Sequence, residues 1–202
     1  MDDSEREQAL LSALTTEHFA LQTSRTGTVA ESTGRATVFL SVLSAALIGL
    51  GFVASEATLV RPYLGAVLPT LVVIGLLTFL RLVETMVENS LALQRIQRIR
   101  AYYHHRFAAE HEFFSDAVVR EGAMDTAWAS VGARPGPWEY LLTTAALVGA
   151  VNALLLGLGV TLLLALAGVG HGVTIPAGVV VAVLAFAAQF VYVLRMSRAR
   201  AV

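Results

Sequence analysis

The sequence predicts an all-α integral membrane protein: four membrane-spanning helices in two hairpins, with a helical cytoplasmic stalk. Two observations on composition lead there. The 202 residues are 56% hydrophobic and only 14% charged, against about a quarter charged in an ordinary soluble domain. Four apolar runs, residues 36–55, 62–80, 140–167 and 175–196, each reach the about 20 residues that cross a bilayer. A third observation, the placement of arginine, sets the orientation. The two short outer connections, EATLVR and GVGHGVT, hold one arginine, Arg61, whereas the N-terminal, central and C-terminal segments hold all the others. The positive-inside bias therefore expects both termini and the central segment to be cytoplasmic.

The elements follow in order. Residues 1–35 form a cytoplasmic segment that opens with a capping-box spacing, Ser4 to Glu7, before Leu10, Leu11, Leu14, Phe19 and Leu21, and this reads as an amphipathic helix. The stretch QTSRTGTVAESTGR is rich in Thr, Ser and Gly, which leaves its helicity in doubt. Two readings are open for this arm: a helix lying on the membrane or on the linker, and a partner-binding or ligand-sensing arm. Residues 36–83 form the first hairpin, in which Pro69 is expected to kink the second span. Its first run is no cleavable signal, since it starts late, follows an acidic N-terminus and lacks a basic region directly before it.

The cytoplasmic linker, 84–136, has no breaker before Gly122. Phe79, Leu82, Met86, Leu93, Ile96, Ile99, Tyr103, Phe107 and Phe114 keep a three/four spacing, interrupted near Asn89 and Glu110. A single rod over 62–115 would be about 80 Å long at ~1.5 Å per residue, with half of it outside the bilayer. Its apolar stripe needs a partner, either the N-terminal helix or the same helix of another subunit. A shorter helix ends at Gly132, and Gly136 and Pro137 restart the chain at the membrane. Residues 137–196 form the second hairpin, and 197–202 a basic tail. Trp138, Tyr140 and Tyr192 fall at the expected inner interface and Tyr63 at the outer one.

Composition also excludes chemistries. Cysteine is absent, so disulfides, thiolate metal sites and cysteine nucleophiles are excluded. All basic residues are arginine, which removes lysine nucleophiles and the Walker-type phosphate lysine. Lysine-free chains rich in Ala, Val, Leu, Gly and Arg suggest a GC-rich bacterial genome, hence a bacterial inner membrane. A net charge of −1 gives no bulk sign of nucleic-acid binding, and no cofactor motif is present.

The most chemistry-laden stretch is RIQRIRAYYHHRFAAEHEFF, residues 95–114. His104 and His111 share a helix face but stand about 10 Å apart along its axis, and His104 and His105 point about 100° apart. Neither pair has the one-turn spacing of a single-helix metal site, so only an intersubunit site is left open. Arg95, Arg98, Arg100 and Arg106, with Tyr102 beside them, are candidate contacts for an anionic ligand such as a nucleotide, or for lipid head groups. No Gly-rich loop accompanies them.

Within the membrane, Asn152 and Gln189 are amides deep in apolar runs, where they are expected to face other helices. Ala145, Gly149, Ala153 and Gly157 form a small-residue ladder, and Ser41, Ala45 and Gly49 repeat it in the first span. Packing inside the bundle, subunit contacts and a pore lining are the open readings. No acid or base lies mid-membrane, so proton-coupled transport lacks its usual carboxylate, and no catalytic constellation assembles.

The stretch LLSALTTEHFALQTSRTGTVAESTGRATVFLSVLSAALIGLGFV, above all STGRATVFLSVLSAAL, resembles the start of a group of uncharacterised actinobacterial multi-span membrane proteins. More distantly it is similar in layout to transmembrane effectors of the Pycsar and SLATT types. The resemblance covers residues 1–110 and implies a helix leading into a transmembrane pair, with cytoplasmic parts that sense a nucleotide signal or partner. The second hairpin departs from the two-span SLATT plan, and no site residue carries over. The expected function is a non-enzymatic, homo-oligomeric membrane effector or channel-like assembly controlled through its cytoplasmic helices. A membrane scaffold or accessory subunit is the alternative, and a membrane-embedded enzyme the third.

Overall fold

In the computed structural model the described residues are 2–108, 111–118, 124–129, 132 and 140–199, and they are helical with no strand among them. The elements are α1 (Asp3–Val53), α2 (Ala57–Tyr103), a π-type turn (His104–Ala108), α3 (Ser115–Val118), α4 (Met124–Ala129), α5 (Thr144–Leu166) and α6 (His171–Ala199). Each of the four long helices contains one apolar run sufficient to cross a membrane. The expected break at Gly122, the restart at Gly136 and Pro137, the interruption at Glu110 and the interfacial Trp138 lie outside the described residues.

The chain divides into two compact units. One comprises Met1–Glu31, Thr85–Glu139 and Ser197–Val202; the other, the membrane unit, comprises Ser32–Glu84 and Tyr140–Met196.

In the first unit, α1 starts from a different cap than the sequence suggested. The Asp3 amide donates to Asp2 Oδ1, the Asp2 amide to Glu5 Oε2, and Arg6 N to the Asp2 carbonyl. Glu5 thus takes the back-reaching role expected of Glu7, Asp2 Oδ1 takes up the first amide in place of Ser4, and Ser4 Oγ merely donates to Asp2 Oδ2. The Thr- and Gly-rich stretch does not interrupt α1. Thr15, Thr16, Thr26, Thr28 and Thr37 each return their hydroxyl to the carbonyl four residues back, at 2.6–3.1 Å. Bonds of that kind satisfy the side chains that otherwise compete with a helix.

One side of α1, Leu11, Leu14, His18, Leu21, Arg25 and Thr28, is buried or half-buried at alternating spacings of three and four. That side packs antiparallel on α2, where Leu21, Ala92, Ile96 and Ile99 form a core joined by Leu14 and Tyr103. Cross-links in opposite chain order fix the register: Glu7 with Arg106, Thr15 Oγ1 with Tyr103 Oη at 3.1 Å, and Arg25 with Asn89. The stalk stripe therefore does find a partner in the N-terminal helix. Leu21→Ala is expected to cost about 2 kcal/mol, the low end for a buried leucine, read as a lower thermal midpoint.

The expected single rod to Ser115 is not formed. α2 ends at Tyr103, where the π-type turn adds backbone and shifts the side-chain phase. His104 Nδ1 then donates to the Phe113 carbonyl at 2.6 Å, and Phe114 takes a left-handed backbone with φ 59°. Phe107 and Phe114, read as the end of the buried stripe, are about half exposed instead. The turn and α4 pack on α3, with Ala117 and Ala127 buried. The short helix α4 does end as expected: Gly132 has φ 79° and its amide donates to the Ala129 carbonyl.

In the membrane unit the core is built from Phe39 of α1, Phe79, Leu82 and Val83 of α2, Val148 of α5 and Val193 of α6. α5 begins at an N-cap, Thr143, whose hydroxyl accepts from Ala146 N at 3.2 Å. Its buried side is nearly all small: Ala145, Ala146, Gly149, Ala153 and Gly157. Small side chains let neighbouring helix backbones approach closely, and the approach here is extreme. A Cβ added at Gly157 would lie 2.5 Å from the Gly178 carbonyl oxygen and 2.8 Å from Ala182 Cβ of α6.

Candidate functional site: buried polar groups in the two units

The membrane unit encloses three polar side chains at helix-facing positions. Asn152 is fully buried, and neither atom of its amide has a partner among the described residues. Thr174 is fully buried and donates to the His171 carbonyl at 3.5 Å, whereas Gln189 Oε1 is buried without a partner among the described residues. Glycines make room for both amides. A Cβ at Gly75 would come within 2.7 Å of Asn152 Oδ1 and 3.0 Å of the Phe39 ring, and one at Gly149 within 2.9 Å of Gln189 Oε1 and 3.2 Å of Phe79. The small-residue ladder of α5 therefore faces the inside of its own unit. The ladder in α1 behaves differently: Ser41 and Ala45 are exposed, while Gly49 receives the Tyr63 ring. Tyr63 Oη donates to the Ala46 carbonyl at 2.7 Å.

A cavity of about 380 Å³ opens between α2 and α5, lined by Leu64, Leu68, Pro69, Gly159 and Leu163 with Arg61 as its charged residue. Its apolar walls suit an acyl chain.

In the first unit the residues read as ligand contacts are dispersed. Arg95 and Arg98 are exposed, and Tyr102 is half-buried. Arg106 is engaged: its Nε and Nη2 both reach Glu7 Oε1 at 2.8 Å. The hydrogen bond from Arg106 holds the Glu7 carboxyl below its ordinary value and, reciprocally, raises the Arg106 guanidinium. The ion pair is therefore present at neutral pH and is lost only as pH falls through the depressed carboxyl value.

Of these candidates Arg100 is half-buried, with its Nε buried, and its charge reaches two groups of α1 that the sequence reading overlooked. His18 and Arg25 stand seven residues apart on the buried side of α1. Burial first, and then the charge of Arg100, lowers the pKa of each. The signal for them was present in the sequence as two polar residues at the three/four positions that also carry Leu14 and Leu21.

Among the described residues no group of three or more His, Asp or Glu side chains converges to hold a metal ion. His104 is tied to Phe113, and its ring lies edge-on to that of His105. No protein-family model, curated protein or solved structure matches the chain.

Proposed function

We propose that the chain is a non-enzymatic multi-span protein of a bacterial inner membrane, acting as an oligomeric effector or channel-like assembly with both termini cytoplasmic. The observation that carries this reading is the polar interior of the membrane unit. An unpaired buried amide costs about 1–3 kcal/mol, and hydrocarbon supplies no water to offset it. Both amide atoms of Asn152 and the Oε1 of Gln189 carry it among the described residues. Paired amides across a tight, small-residue bundle would be inert packing. Unpaired ones favour a second helix arrangement in which they meet water, a permeant or each other. Control through the first unit is supported by helix content, since α1 and α2 supply residues to both units.

Expression in bacteria is expected to raise membrane permeability to small ions, and the protein in mild detergent to migrate as an oligomer. Single-chain particles together with unchanged permeability would contradict the reading.

The scaffold reading has one observation of its own. Phe107, Phe113 and Phe114 expose about half or more of their surface around the turn after α2, an aromatic group suited to a protein partner. Serine at all three positions would abolish the binding of such a partner while leaving permeability unchanged.

A further inference from the structure

We propose that the cavity between α2 and α5 is a binding site for an anionic phospholipid, with one acyl chain in the cavity and the phosphate on Arg61. The cavity lies within the membrane unit and is walled by two facing helix segments, 60–69 of α2 and 159–166 of α5. The α2 side runs for about 14 Å at ~1.5 Å per residue. The volume of about 380 Å³ arises where side chains are missing. A Cβ added at Gly65 would meet nothing within 4 Å, and one at Gly159 would meet only Leu68 Cδ2, at 3.0 Å. Leu64, Leu68, Leu162 and Leu163 make the walls apolar. Such walls give water no partners, and in a membrane span the apolar occupant at hand is an acyl chain.

Arg61 is the one charged group among the described lining residues, and it stands near the end of the cavity where α2 begins. Its side chain is exposed and has no ion-pair partner among the described residues. The acid nearest in sequence, Glu56, precedes it by five residues, which puts the two about 140° apart around the helix. A guanidinium at the edge of hydrocarbon is costly when uncompensated. A phosphodiester there reverses the sign, because charge-assisted bonds to arginine are the strong ones. Chain and charge thus select together: the cavity takes the acyl chain, and Arg61 favours a head group of net negative charge over one that carries its own cation. With both termini cytoplasmic, as proposed above, the site opens to the outer leaflet. It does not rest on ion flux, because lipid binding alone reads it.

The test uses the full chain in dodecyl maltoside, titrated at constant ionic strength with dioctanoyl phosphatidylglycerol, dioctanoyl phosphatidylcholine or glycerol 3-phosphate. Phosphatidylglycerol is expected to raise the thermal midpoint saturably, at a concentration about fivefold or more below that required of phosphatidylcholine, the worth of one arginine beside an anionic head group. Glycerol 3-phosphate, which has the phosphate without the chain, should leave the midpoint unchanged. Arg61→Gln should abolish the preference between the two lipids, and Arg61→Lys should keep most of it. Gly65→Phe should fill the cavity and lose the response to both lipids. Open space at Gly65 and the better helix propensity of phenylalanine should hold its lipid-free midpoint at or above that of wild type. Arg61→Gln leaves the packing of the cavity untouched, so it decides the case if Gly65→Phe does not fold. Equal effects of the two lipids on wild type, a preference retained in Arg61→Gln, or an unchanged response in folded Gly65→Phe would overturn the proposal. A response to glycerol 3-phosphate equal to that of phosphatidylglycerol would overturn it as well, by identifying a site for a free phosphate ester.

Discussion

Gly157→Leu is expected to be among the most damaging single substitutions in the membrane unit. The first atom of any side chain there would meet the Gly178 carbonyl oxygen at 2.5 Å and Ala182 Cβ at 2.8 Å. Backbone cannot rotate out of the way as a flexible side chain can, so α5 and α6 would have to separate. Overpacking typically costs about 1–3 kcal/mol, and this site belongs at the upper end because Gly178 is itself packed against Thr161. Thr161 Oγ1 donates to the Gly157 carbonyl at 3.0 Å, so the clash would also disturb that bond. The expected result is loss of the cooperative thermal transition in detergent, or a greatly lowered midpoint. Gly51→Ala is the control, since a Cβ there meets nothing within 4 Å. Its midpoint should stay near that of wild type.

Asn152→Leu should move stability the other way. Leucine is close to asparagine in shape, and it would replace an amide that has no partner among the described residues. Removing that desolvation penalty should stabilise the unit by about 1–3 kcal/mol, seen as a higher thermal midpoint. The same change should lower permeability, because the packed bundle would lose its reason to rearrange. Higher stability with lower activity is the usual signature of a site held for function rather than packing. A destabilised Asn152→Leu would instead mean that the amide is satisfied in the native membrane.

The four spans were legible because bilayer thickness imposes a length of apolar chain that no soluble helix needs, and each long helix contains most of one run, although the first overshoots Val53 and the third starts before Thr144. Burial of Asn152 was equally legible, since an amide cannot face lipid cheaply. The continuity of α1 was not. Its Thr- and Gly-rich middle looks like a breaker until the hydroxyls of Thr26 and Thr28 are seen bonded to the carbonyls of Gln22 and Ser24. Capping was displaced by two residues because Asp2 and Glu5 compete for the role given to Ser4 and Glu7, and Glu7 has a partner 99 residues away in Arg106. The turn at His104–Ala108 has no Pro or Gly to announce it. His18 and Arg25 escaped attention for a different reason. Each looks ordinary alone, and only the antiparallel register of α1 on α2 brings Arg100 to them. That register depends on contacts between residues more than sixty positions apart, such as Arg25 with Asn89, which local periodicity does not encode.

The most direct test of the central claim is ion flux into proteoliposomes containing the purified chain, measured for wild type and for the Asn152→Leu, Gln189→Leu double variant at matched incorporation. The account predicts flux above empty vesicles for wild type and a return to the empty-vesicle level for a folded, thermally stabilised double variant. Wild-type flux equal to that of empty vesicles, or undiminished flux in the double variant, would contradict it.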